Sequence, residues 1–107
     1  MPAPALTKND FEAKVLKAKT LVMIDFFAVW CGSCKMAVPV IDELAEEYKG
    51  KAVIFKVNVD EEQELAQKFG VMSIPTVILF KDGKEVDRQV GFPGKEGYIQ
   101  MLDKHIQ

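Results

Sequence analysis

Between Leu21 and Phe27 the chain runs Leu-Val-Met-Ile-Asp-Phe-Phe, apolar on both faces of an extended segment except at Asp25. A strand patterned in this way is covered by other elements on both sides, so the rest of the chain must supply two layers around it. A second apolar run, Ala52–Val59, reads as another buried strand. Between the two, Ala37, Ile41, Leu44, Ala45 and Tyr48 recur at helical spacing, acidic residues fill the opposite face, and Gly50 supplies a left-handed stop. Strand, helix, strand in that order predicts parallel neighbours joined by a right-handed crossover.

The flanking elements complete the pattern. Thr7–Lys17 reads as a first helix, with Phe11, Val15 and Leu16 at helical spacing and Thr7 capping its free amides. Asp60 and Gln63 form a capping box for a helix to Phe69, which Gly70 ends. Thr76–Lys81 and Lys84–Val90 are strands around Asp82-Gly83, the strongest short hairpin signal, and are therefore antiparallel. A last helix from Lys95 to Ile106 puts Tyr98, Ile99, Leu102 and Ile106 on one side, facing the sheet. The predicted class is α/β, a central mixed sheet flanked by helices on both faces. With 107 residues there is room for one domain, spanning 1–107. A domain of this size buries roughly 65% of its unfolded surface and needs no metal or disulfide staple.

Composition removes several function classes. Hydrophobic residues at 49% and charged residues at 28% exclude an intrinsically disordered chain. A net charge of -2 offers no basic surface for nucleic acid. The apolar run at Leu21–Phe27 is far shorter than the roughly 20 residues that cross a bilayer. Met1-Pro2-Ala3-Pro4-Ala5 has neither a basic n-region nor an apolar h-region, so no secretory signal is read and the cytoplasm is the expected location.

Only two cysteines occur, as Cys31-Gly32-Ser33-Cys34 at the junction of the first strand and the following helix. Positions i and i+3 of a first helical turn share a face with Cα atoms about 5 to 6 Å apart, within disulfide reach. The first sulfur meets unpaired backbone amides that favour its thiolate, while the second lies a turn deeper. Cys31 is thus the expected nucleophile and Cys34 the resolving thiol. An ordinary thiol near pKa 8.5 is only about 3% ionised at neutrality, and lowering that to about 7 makes roughly half available. A structural zinc site is the competing reading of such a pair. Zinc takes four ligands, and the only other soft donor is His105 in the terminal helix, so one chain cannot complete the site and only a dimeric four-cysteine arrangement remains. Asp25 is an acid in an apolar strand, where desolvation raises its pKa toward neutrality unless it lies at a solvent-facing strand end. Lys56, in the next buried strand, is either its charge partner or a lysine snorkelling to the surface.

The segment Ile24-Asp25-Phe26-Phe27-Ala28-Val29-Trp30-Cys31-Gly32-Ser33-Cys34-Lys35-Met36, with Pro39, Lys56, Ser73-Ile74-Pro75-Thr76 and Val90-Gly91, resembles the thioredoxin family in order and spacing over nearly the whole chain. The resemblance implies the thioredoxin fold and reduction of disulfides in partner proteins, with no bound cofactor. It also implies a monomer recharged by a separate thioredoxin reductase, by family habit an NADPH-dependent flavoprotein. By the same resemblance Asp25 lies beneath the dithiol and takes the Cys34 proton, directly or through water, with Lys56 tempering it. Pro75 is expected to be a cis-proline facing the dithiol and aligning a bound chain, against the ordinary trans turn. Trp30 is expected to shield the dithiol rather than fill the core. Gly32, Ser33, Ile74, Gly91 and Phe92 are expected to line the docking surface. Pro39 is structural, removing a hydrogen bond to the Lys35 carbonyl and kinking its helix.

Two departures stand out. Phe27 replaces the family's usual tryptophan and loses an indole donor, and Ser33 replaces the usual proline between the cysteines. A serine hydroxyl at that point can donate to a thiolate, stabilise the reduced form and make the couple less reducing. A more oxidising oxidase or isomerase is therefore the rival within the class. A non-catalytic thioredoxin-fold binding module is the rival outside it.

Overall fold

The computed structural model describes residues 3–106, so Met1 and Pro2 of the N-terminal stretch read for a leader lie outside it. Strand β1 (Leu21–Phe27) is followed by helix α1 (Gly32–Glu47), strand β2 (Ala52–Asn58), helix α2 (Gln63–Lys68), strands β3 (Thr76–Lys81) and β4 (Lys84–Val90), and helix α3 (Lys95–His105). The sheet order is β2-β1-β3-β4, with β1 parallel to β2 and antiparallel to β3. Both central strands are thus β1 and β3, and their near-total burial is the reason they are apolar on both faces.

Side-chain alternation divides the core in two. Leu21 and Met23 face a cluster built with Ile41 and Leu44 of α1 and Tyr98 and Leu102 of α3. Val22, Ile24 and Phe26 face the other cluster, with Phe11, Val15 and Leu65. Phe11, Phe69 and Phe80 meet there as a ring trio with centroids 5.2 to 5.8 Å apart. The mixed sheet with helices on both faces is therefore as the sequence predicts. At the β3–β4 hairpin Asp82 and Gly83 both have positive φ, 54° and 79°, the backbone that an Asp-Gly pair adopts most readily in a two-residue turn.

Two expectations fail. The segment Thr7–Lys17 is not one capped α-helix but a 3-10 turn, Lys8–Asp10, and a wider π-helical stretch, Glu12–Leu16, closed by the Lys17 amide donating to the Glu12 carbonyl at 3.0 Å. Thr7 caps nothing. Its hydroxyl donates to the Asp10 carboxylate at 3.0 Å, while the Lys8 amide is taken by Glu62 at 2.8 Å, 54 residues away. A tertiary contact thus takes up a free amide at the start of this segment, and the Asp10 amide donates to the Thr7 carbonyl at 3.1 Å instead of to its side chain. The Asp60–Gln63 capping box is likewise absent: β2 stops at Asn58, whose side chain accepts the Asp60 amide at 2.9 Å, and the Asp60 carboxylate is engaged by Trp30. Only Gln63 follows the pattern in part, donating to the Asp60 carbonyl at 3.3 Å, and the residue before α2 caps through no side chain.

Among the described residues no helix is long and apolar enough to cross a membrane.

Candidate active site

At the end of β1 the chain turns through Ala28, Val29 and Trp30 into α1, and Cys31 is the residue that caps that helix. Its sulfur accepts the Cys34 amide at 3.2 Å, occupying one of the donors a helix start leaves unmet. Further support comes from the Ser33 hydroxyl at 3.5 Å. Burial opposes ionisation of Cys31, but the hydrogen bonds from Cys34 and Ser33 outweigh it and hold the thiol below its ordinary value. Cys34, only 1% exposed, is moved the other way: burial, then its role as donor to the Cys31 sulfur, raise it. One thiol is therefore primed for attack and the other is held protonated until something removes its proton.

Both cysteines are free and pack with Ala28, Phe27, Val59 and Ile74 in a small cluster of their own. Facing them is the loop before β3. The Ile74–Pro75 peptide is cis, the Cys31 thiol is 3.7 Å from the Ile74 carbonyl, and the Gly91 amide donates to the Pro75 carbonyl at 2.8 Å. Ile74, Pro75 and Gly91 are thus gathered at the dithiol. Gly91 has φ of 84°, the left-handed backbone a glycine reaches without strain. Gly32 and Ser33 are exposed at the helix start, with open space where a Gly32 side chain would be. Phe92, next to Gly91, is half-buried, its ring 5.8 Å from that of Tyr98 in the α1–α3 core.

Trp30 is 66% exposed and does not fill the core. Its indole donates to Asp60 at 2.8 Å, which fixes the ring on the surface beside the dithiol turn. Asp60 is a residue sequence reasoning assigned to a helix cap instead. Val29, Met36, Met72 and Val90 also stand exposed, large apolar side chains one or two residues from Trp30, Cys34, Ile74 and Gly91 respectively. That nearness in sequence to the motif was the one signal that pointed to them.

Asp25, whose charge bears on Cys34, is fully buried, and neither carboxyl oxygen has a hydrogen-bond partner among the described residues. Its neighbours in the sheet are Lys56 on one side and Val77 on the other. Desolvation lifts its pKa to about 7, against the lowering field of Lys56 and with a further rise from Asp42. The expected Asp25–Lys56 charge pair is not formed. The Lys56 ammonium, mostly buried rather than snorkelling, binds Asp42 of α1 at 3.1 Å and acts on Asp25 only through space. Asp42 also accepts the Ala3 amide at 2.9 Å. Sequence reasoning missed Asp42 because an acid on a helix of many acids looks like solvated surface. Among the described residues no three His, Cys, Asp or Glu side chains are grouped to hold a metal ion.

Comparison with known proteins agrees with this arrangement. The family model described as thioredoxin matches residues 3–104. The thioredoxins of Staphylococcus aureus strains Mu50 and MW2 are each 54% identical to the chain over 101 residues, 94% of this chain and 95% of theirs. With a helix-capping thiol, a buried partner thiol and this degree of identity from end to end, the chain belongs to the thioredoxin family.

Proposed function

We propose that Cys31 is the nucleophile and Cys34 the resolving thiol of a protein-disulfide reductase. The chain is a thiol-disulfide oxidoreductase that acts on disulfides of partner proteins and is returned to the dithiol by a thioredoxin reductase. The Cys31 thiolate attacks one sulfur of the partner disulfide, a mixed disulfide forms, and the other partner sulfur leaves as thiolate. Cys34 then passes its proton to the Asp25 carboxylate and attacks the Cys31 sulfur. The second partner thiolate departs, and two electrons have moved from the dithiol to the partner.

The observation that carries this reading is the Cys31 sulfur on the Cys34 amide at 3.2 Å, with Cys34 buried behind it. Partner docking is supported by the exposed apolar rim of Trp30, Met36, Met72 and Val90, where flexible methionines suit varied partners. Within the same reading, Lys56 moderates Asp25, and Pro75 and Ile74 align the bound chain beside Gly32, Ser33, Gly91 and Phe92. The reductase is an NADPH-dependent flavoprotein, the chain works as a monomeric single domain, and the cytoplasm is its setting. A more oxidising role is favoured by one contact alone, the Ser33 hydroxyl 3.5 Å from the Cys31 sulfur.

The test uses dithiothreitol as the electron source and a disulfide-bonded protein as substrate. Catalytic amounts of the chain are expected to accelerate reduction, Cys31→Ser to abolish it, and Cys34→Ser to accumulate a mixed disulfide through Cys31. No acceleration, or a mixed disulfide trapped on Cys34 in the Cys31→Ser protein, refutes the assignment.

A further inference from the structure

The exchange steps leave one buried polar group unused. Among the described residues three buried side-chain oxygens have no hydrogen-bond partner, the two of the Asp25 carboxyl and the Tyr98 hydroxyl. Both residues are completely inaccessible. They also share a side of the sheet. Asp25 alternates with Leu21 and Met23, which pack in the cluster that holds Tyr98, and Val77, the β3 partner of Asp25, belongs to that cluster too. Helix α3 therefore lays Tyr98 over the face from which Asp25 emerges, with the phenol ring held against Phe92. Burial first, then the fields of Asp25 and Cys34, push ionisation of the phenol up, so it remains a neutral donor. No direct bond joins the two groups, and stranded buried oxygens of this kind are commonly satisfied by an enclosed water.

We propose that Tyr98 is a positioning residue for Asp25, its hydroxyl donating to a buried water that donates in turn to the Asp25 carboxylate. The inference rests on the reading of Asp25 as the acceptor of the Cys34 proton. The other groups that bear on Asp25 are Lys56 from β2 and Asp42 and Cys34 from α1, while β3 presents the apolar Val77. Against this background a donated hydrogen bond favours the carboxylate over the acid. It keeps the acceptor ionised at the pH where Cys34 must lose its proton, and it gives that proton a fixed place to arrive.

Tyr98→Phe removes the hydroxyl and keeps the ring, so the fold is retained. Carbon-13 NMR of the reduced, aspartate-labelled protein reads the Asp25 midpoint without any turnover. That midpoint is expected to rise by about one pH unit in Tyr98→Phe, the size of one modest hydrogen bond to a charge. Release of substrate from a preformed mixed disulfide is expected to slow up to about tenfold below the midpoint and to be unchanged above it. In an Asp25→Asn background the same substitution is expected to leave the pH profile where it was. An Asp25 midpoint unmoved by Tyr98→Phe overturns the proposal, whatever happens to stability. A midpoint that moves while release keeps one rate across that pH range upholds the link between the two side chains and overturns Asp25 as proton acceptor instead.

Discussion

A hydroxyl 3.5 Å from the Cys31 sulfur is a small perturbation with a readable consequence. Ser33→Pro deletes that donor, so the thiolate and with it the reduced state lose support. The variant is expected to be more reducing, by about fivefold in its equilibrium constant with glutathione or roughly 20 mV. Equal constants for the two proteins would remove Ser33 from the tuning of the couple. Asp42 is the second residue whose effect can be isolated. Asp42→Asn deletes a negative charge that raises Asp25 and releases the Lys56 ammonium from its 3.1 Å pair, and both changes favour the Asp25 carboxylate. The Asp25 midpoint is expected to fall below about 7, by about one pH unit, in a carboxyl titration followed by NMR. The opposite motion would mean that Lys56 is placed by something other than Asp42. Cys31, Cys34 and Asp25 were legible because each is unusual where it stands: a cysteine pair at a helix start and an acid inside an apolar strand. Asp42 and Asp60 were not, because each looks like ordinary surface until Lys56 and Trp30 are seen to reach it.

At the scale of elements, periodicity located every strand to within one residue at its end, and Gly50, Gly70 and Asp82-Gly83 marked stops that all adopt positive φ. Local chemistry failed at the start of the chain and before α2, where the amides and carboxylates expected to cap find partners far away in sequence. The same kind of long-range contact makes the hairpin turn less tolerant than its exposure suggests. A Cβ at Gly83 would lie 2.7 Å from the Leu16 carbonyl oxygen, on a backbone with φ of 79°. Gly83→Ala is expected to cost about 2 kcal/mol in urea unfolding, from strain at the turn and displacement of the π-helical end. A loss no larger than a few tenths of that would show that the turn is free to move off Leu16.

For the molecule as a whole, the buried acid in β1 sets a pH dependence of stability. In the folded state Asp25 titrates at about 7, and in the unfolded chain at the ordinary carboxylate value near 3.9. Between those values the folded protein holds a proton the unfolded chain has released, so stability falls as pH rises through the window and is level outside it. About three pH units correspond to about 4 kcal/mol. Asp25→Asn is expected to abolish that slope and to be the more stable protein above pH 7, as urea unfolding at pH 5 and pH 8 would reveal. Parallel pH dependence in both proteins would place the titrating group elsewhere. On the proposed reading, this chain thus carries a standing loss of stability at the group that receives the Cys34 proton.

The amino-acid order alone determined the succession of strands and helices, the mixed sheet and the reactive pair, because those follow from spacing along the chain: periods of two and 3.6, turn residues, and cysteines one helical turn apart. Which side chain answers which was decided only by the folded chain. Lys56 turning to Asp42, Trp30 to Asp60, and Tyr98 lying over the face that carries Asp25 join residues 14, 30 and 73 positions apart in sequence. Charge and hydrogen bonding act over a few ångströms of space, and local spacing does not encode which distant residues will come within that range.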